Sequence, residues 1–333
     1  MATPALRALR EHFGETAELV GLLRPNVADV LAGTSWLDET VQYTRKTTRG
    51  FWRTAKELRQ QRFDTILLLT NSFSTALLAR LSGAQQRIGF AMHGRSWLLT
   101  DCLYAPAFKG NRMPFSAVQQ YLETVEVLGV RTESRCPELT TISKDESLTD
   151  DVWKSFGWDA DQKVIVLNTG GAYGAGKSWP SEHFSELARR LATSHDIPVL
   201  VLCGPAEKEV ARGIARQADH PRVVSLAEQP LGIGLSKACV RRSLLMVTTD
   251  SGPRHFAAAF KVPAVTLFGP TDPRWSDNYH PDAINVQLDV DCGPCAKRVC
   301  PLKHHRCMRE LSVSHVLVAA QSLLQRQLNT QAA

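Results

Sequence analysis

The sequence predicts an α/β protein made of two doubly wound domains, each a mainly parallel sheet covered by helices. Three observations carry this. Strand-like and helix-like segments alternate through both halves of the chain, the pattern of successive βαβ units. The chain has 333 residues, more than one hydrophobic core of roughly 250–300 residues accommodates. Glycine and polar residues gather directly after strand-like segments, where parallel sheets bind ligands. The expected division is 1–150 and 151–333, with 131–160 as linker, because 140–161 is polar, acidic and weakly periodic.

Pro4 suits a first helical turn, and Leu6, Leu9 and Phe13 share one face, so 4–13 reads as a helix. Residues 18–23 form a short apolar strand, 47–62 a charged amphipathic helix, and 65–69 a buried strand. Ser72 is placed to cap a helix running to about residue 81. A strand at 87–90 and a helix at 117–128 follow. In the second half, strands at 164–167, 198–203, 222–225, 244–248 and 264–268 alternate with helices at 180–191, 207–218, 231–239 and 253–260, and 314–327 is a closing amphipathic helix. The chain opens on a helix, whereas a doubly wound domain ordinarily opens on a strand whose following loop contacts ligand. The first strand of the amino-terminal domain is therefore expected to be missing.

The composition, 44% hydrophobic and 22% charged, excludes disordered, collagen-like and coiled-coil chains. The net charge of +6 fits an anionic substrate, an anionic membrane surface or a solvated mixed surface. Aromatic residues do not interleave with a basic stripe, so nucleic-acid binding is not expected. The longest apolar runs, at 66–69 and 244–247, fall far short of the roughly 20 residues that span a bilayer. The opening residues hold no apolar core of a secretory leader. The expected location is cytoplasmic, and a disulfide framework among the eight cysteines is not expected.

Four loops leave strand ends on one rim if the strands are parallel. The first runs from Asn168 through Thr169, Gly170, Gly171 and Gly176 to Lys177. Its glycines allow close backbone approach to a ligand and Lys177 supplies a mobile positive charge, although the spacing is not that of a P-loop. By itself this loop also reads as flexible surface with a solvated lysine. The second is Cys203-Gly204-Pro205, the third Thr248–His255 and the fourth Gly269–Pro273. Asp250-Ser251-Gly252 precedes a helix, whose free N–H groups suit a phosphate. Alternatively Asp250 or Ser251 caps that helix, and His255 is a core histidine. A capping carboxylate would compete with phosphate, so Asp250 is expected instead to contact a ribose or to orient Lys177. Cys292, Cys295, Cys300 and Cys307, with His304 and His305 among them, have metal-like content. Their second spacing is loose for a structural zinc site, so a compact loop of reduced thiols is expected rather than zinc.

Thr249-Asp250-Ser251-Gly252-Pro253-Arg254-His255, followed by Phe268-Gly269-Pro270-Thr271-Asp272-Pro273-Arg274-Trp275, resembles glycosyltransferase family 9. Cys292-Gly293-Pro294-Cys295, Cys300-Pro301-Leu302-Lys303-His304, Arg87-Ile88-Gly89-Phe90, 95–101 and 3–9 add weaker matches along the chain. The resemblance implies a GT-B architecture, two Rossmann-like domains facing across a cleft, with the acceptor on the first and the nucleotide-sugar on the second. It implies an inverting, metal-independent transfer of heptose from ADP-heptose to the lipopolysaccharide inner core, with no cofactor and with peripheral contact at the inner membrane surface. Lys177 and Asp250 become the implied catalytic residues, and Thr169, Gly170, Gly171, Ser251, Gly252 and His255 the donor-binding ones. Lys177 and the Ser251 and Gly252 amides would stabilise the departing ADP. The general base that the family places in a Gly-Asp loop after its first strand would lie before Met1, leaving a start set too late or an impaired enzyme. A nucleotide-sugar epimerase, a catalytically impaired donor-binding protein and a zinc-dependent nucleic-acid binder are the alternatives.

Overall fold

The computed structural model of the protein describes residues 1–43, 47–170 and 174–332, with side chains through residue 329. The chain forms two compact units, Met1–Arg135 with Arg274–Asn278, and Cys136–Pro273 with Tyr279–Ala333.

The first unit opens on α1 (Thr3–Phe13), with Pro4 in its first turn and Ala5, Ala8 and Leu9 buried. It continues through β1 (Val20–Leu23), α2 (Pro25–Leu31), β2 (Glu39–Gln42), α3 (Thr48–Gln61), β3 (Thr65–Leu68), α4 (Phe73–Ser82), β4 (Gln86–Phe90) and β5 (Asp101–Leu103). A small antiparallel hairpin, β6 (Ala107–Phe108) and β7 (Asn111–Arg112), precedes α5 (Ala117–Glu126). Side-chain caps start three of these helices. Thr47 accepts from the Gly50 N–H, Ser72 from Thr75 and Ser116 from Gln119, each worth about 1 kcal/mol. The strands pair in parallel as β1–β2 and as β3–β4–β5. Among the described residues β1 and β3 are each paired on one side only. Tyr43, Ala55, Leu58 and Leu78 form a core with Leu22 of β1, and Leu68, Ala76, Ala79, Leu98 and Leu99 a second one. The fully buried Arg95 donates to the carbonyls of Phe90, Thr70 and Ser72 and to Asn71 Oδ1. These bonds satisfy its charge where solvent cannot.

The second unit starts at Cys136, not at 151 as the sequence suggests, and the expected linker contains α6 (Ser143–Ser155). The polar face of α6 hid its helical period, yet it packs on α9 (Ile233–Arg241). Glu146 accepts from Arg241 and Arg242, and buried Trp153 donates to the Gln162 carbonyl. The other elements are β8 (Val164–Asn168), α7 (Ser181–His195), β9 (Val199–Leu202), α8 (Lys208–Ala218), β10 (Val223–Ser225), β11 (Ser243–Thr249), α10 (Arg254–Ala259), β12 (Ala264–Phe268), β13 (Ala283–Gln287), α11 (Arg306–Arg309) and α12 (Val313–Ala332). Six strands form one parallel sheet in the order β10-β9-β8-β11-β12-β13. β8, β9, β11 and β12 are buried along their whole length, which is why they read as continuous apolar runs. β13 is half-exposed and escapes sequence reading for that reason. Among the described residues no helix is long and apolar enough to cross a membrane.

Candidate functional site

The second sheet reverses its winding between β8 and β11, which are neighbours in space and distant in sequence. At such a switch point the loops from adjacent strands diverge, and a crevice opens beyond the carboxyl ends. β8 ends at Asn168 and runs into Thr169 and Gly170; β11 ends at Thr249 and runs into Asp250, Ser251 and Gly252. The two ends are laced together. Asn168 Nδ2 donates to Thr248 Oγ1 at 2.9 Å and to Ser251 Oγ at 2.8 Å, and Thr249 Oγ1 donates to the Gly170 carbonyl. The Thr169 hydroxyl is buried and makes no hydrogen bond among the described residues, an uncompensated cost for a polar atom unless something else binds there. The Ser251 and Gly252 N–H groups donate to no acceptor among the described residues.

Asp250 is the hub. Its Oδ2 lies 2.5 Å from Lys177 Nζ and 3.0 Å from Thr271 Oγ1, and its Oδ1 lies 3.0 Å from Arg254 Nη1. Lys177 Nζ also donates to the Asp250 carbonyl at 3.1 Å. Lys177 is carried by a 3-10 turn, Ala175–Lys177, after Gly174, whose φ of +124° suits glycine. Arg254 opens α10, one helical turn beyond Asp250, and its guanidinium lies over the Phe268 ring. The loop bearing Thr271 is anchored by Gln287 of β13, which donates to the Gly269 and Thr271 carbonyls. Burial alone would raise the Asp250 pKa, but Lys177, Arg254 and Thr271 outweigh it and hold the carboxyl below its ordinary value. The Asp250 carboxylate is thus held between two cations, Lys177 and Arg254.

The structure thus brings Lys177, Asp250, Thr169, Gly170, Ser251 and Gly252 together at the ends of β8 and β11. Lys177 is not a solvated lysine, because its ammonium is committed to Asp250. Neither Asp250 nor Ser251 caps the following helix: α10 begins at Arg254 without a side-chain cap. His255 is the second residue of α10, and burial, reinforced by Arg254, pushes its pKa well below the ordinary imidazole value. Gly171 lies outside the described residues. Sequence reading missed Asn168, Arg254, Thr271 and Glu207. Arg254 was signalled by its four-residue spacing from Asp250. Glu207 carried no signal: it accepts from the Gly204 N–H, and its carboxylate stands where a Cβ on Gly170 would be, so a side chain there would have to displace that carboxylate.

All four clustered cysteines line one cavity, together with His304 and His305. They are free thiols. The Cys307 thiol is pushed up by burial and by its neighbours Cys295, Cys292 and Cys300. Among the described residues no three His, Cys, Asp or Glu side chains are already arranged to hold a metal ion.

Comparison with known proteins agrees with this geometry. A lipooligosaccharide heptosyltransferase 2 of Campylobacter jejuni serotype O:6 is 26% identical over 326 residues, 95% of this chain and 92% of its own. A namesake from C. jejuni serotype O:2 is 34% identical over 168 residues; there the match spans about half of each chain, 49% and 51%. The solved structure of the E. coli ADP-heptose lps heptosyltransferase II superposes with a TM-score of 0.77 at 21% identity, covering 98% of this chain and 95% of that one. This likeness shows the GT-B class of fold. The sequence profile of glycosyltransferase family 9 (heptosyltransferase) matches residues 51–306, a span that includes Lys177, Asp250, Arg254 and Thr271, and the chain belongs to that family.

Proposed function

We propose that this glycosyltransferase moves a heptose from ADP-heptose to the inner core of lipopolysaccharide, with inversion at the anomeric carbon. The observation that carries this reading is the Lys177–Asp250–Arg254–Thr271 cluster at the switch point of the second sheet. It puts a fixed ammonium beside unpaired backbone N–H groups, a combination that complements a diphosphate. The names borne by the family relatives support the heptose donor and the lipopolysaccharide acceptor.

In the proposed reaction a general base takes the proton of the acceptor hydroxyl, whose oxygen attacks the anomeric carbon. The bond to the distal phosphate oxygen breaks, and ADP leaves carrying the electron pair. Lys177 and the Ser251 and Gly252 amides meet the charge that grows on that oxygen, stabilisation that is larger in the transition state than in the ground state. Asp250 does not touch the sugar chemistry in this account. It fixes the position of the Lys177 ammonium, and Thr271 and Arg254 hold Asp250. The protein works at the inner membrane surface from the cytoplasmic side, where its acceptor is anchored.

The test is ADP release and sugar transfer from ADP-heptose, measured with and without a heptose-terminated inner-core acceptor. Transfer that requires the acceptor is the expected result. Donor turnover without acceptor, giving an epimerised nucleotide-sugar, would replace this reading with an epimerase.

A further inference from the structure

Residues 288–305, between β13 and α11, contain neither helix nor strand. A stretch of that length inside a compact unit needs another source of order. Three of the four clustered cysteines lie in it, and Cys307 follows in α11. The fold closes the loose spacing that the sequence shows. Cys307 Sγ lies 3.4 Å from where a Cβ on Gly269 would stand, so α11 is seated against the loop after β12, and all four cysteines line one cavity of about 30 Å³. By that measure a single water needs roughly 10–15 Å³, so the cavity has room for a small occupant. Four cysteines around a space for one small occupant are the donor set of a tetrahedral thiolate centre.

We propose that Cys292, Cys295, Cys300 and Cys307 bind one soft divalent cation, zinc or ferrous iron, as a structural four-thiolate site. The thiols surround the cavity without converging on one point, and binding draws them inward as they release their protons to solvent. The segment so fixed is the backing of the Lys177 turn. The Gly176 N–H donates to the Arg298 carbonyl at 2.8 Å, His305 Nε2 donates to the Gly176 carbonyl at 2.8 Å, and the Ala296 N–H donates to the Pro270 carbonyl at 2.6 Å. A Cβ on Gly176 would stand 2.6 Å from the Lys297 carbonyl oxygen, so the two backbones are in direct contact. The cation therefore positions Lys177 without touching substrate. This positioning role rests on the proposed function; the metal site does not.

The full chain is purified under reducing, anaerobic conditions and analysed for zinc and iron, then stripped and titrated with Zn²⁺, Fe²⁺ and, as a spectroscopic probe, Co²⁺. About one metal per chain and thiolate-to-cobalt charge-transfer absorption are expected, both lost in the Cys295→Ser/Cys300→Ser variant and kept in Cys102→Ser. Removal of the metal is expected to weaken ADP binding roughly tenfold, with recovery on reloading. A folded, fully reduced wild-type chain that takes up none of the three ions overturns the site. So does a native chain whose clustered cysteines are paired as disulfides. A metal bound at one per chain whose removal leaves ADP affinity unchanged overturns the positioning role alone, leaving the donor-site reading to the transfer assay.

Discussion

Lys177 Nζ and Asp250 Oδ2 lie 2.5 Å apart across a sequence separation of 73 residues. Lys177 follows β8 and Asp250 follows β11, and those two strands are neighbours at the reversal of the sheet. Replacing Lys177 with Ala removes the only lysine of this cluster while Asp250 keeps Arg254 and Thr271. We expect kcat/KM for heptose transfer to fall about 10²–10³-fold, with weaker ADP binding by calorimetry and a retained cooperative melt. Unchanged turnover and affinity would remove Lys177 from the donor site.

Replacing Asp250 with Ala takes from the buried Lys177 and Arg254 the carboxylate that both contact. Removing one partner of a buried ion pair costs about 3–5 kcal/mol, so Asp250→Ala is expected to lower the denaturation midpoint strongly. The double variant Asp250→Asn/Arg254→Met removes one charge of each sign and is expected to recover part of the loss. Additive effects in chemical denaturation would show that the two residues are not coupled.

Glu146 provides a pH signature in the second unit. Burial alone would raise its pKa, but bonds from Arg241, Thr141 and Arg242 bring it from 4.5 to about 2. The unfolded chain takes up the proton first as pH falls. The contribution is therefore complete above pH 4.5 and is lost as pH falls toward 2. Allowing for solvent screening at this part-exposed group, it is about 1–2 kcal/mol. Glu146→Gln should lower stability at pH 7 by that amount and flatten the acid limb of the stability curve, measured by urea denaturation at a series of pH values.

Gly176 and Gly213 separate close packing from simple flexibility. A methyl on Gly176 would meet the Lys297 carbonyl oxygen at 2.6 Å, backbone that cannot turn aside. Gly176→Ala is expected to cost about 1–3 kcal/mol and to reduce activity by displacing Lys177. Gly213 is inside α8, where a Cβ meets nothing within 4 Å. Gly213→Ala is expected to stabilise by about 0.4–1 kcal/mol with activity unchanged. Thermal melts and the transfer assay read both.

The sequence by itself determined the α/β class, the buried strands of the second sheet and most of its helices. Fully buried parallel strands must be continuously apolar, and the helices between them must show one apolar face, so both periods are written locally. It also placed Lys177, Asp250 and Ser251 at strand ends, and the expectation that Asp250 contacts a ribose or orients Lys177 followed from the competition between a carboxylate and a phosphate for the same N–H groups. Local pattern failed where burial is partial: α6, β2 and β13 show faces too mixed to reveal a period. Which residues meet was decided only by tertiary structure. Asn168 meets Ser251 and Lys177 meets Asp250 because β8 and β11 pair out of sequence order, and the four cysteines share one cavity because α11 packs against the loop after β12. Contacts between chain segments that far apart depend on the order in which strands pair, and no local period encodes that order.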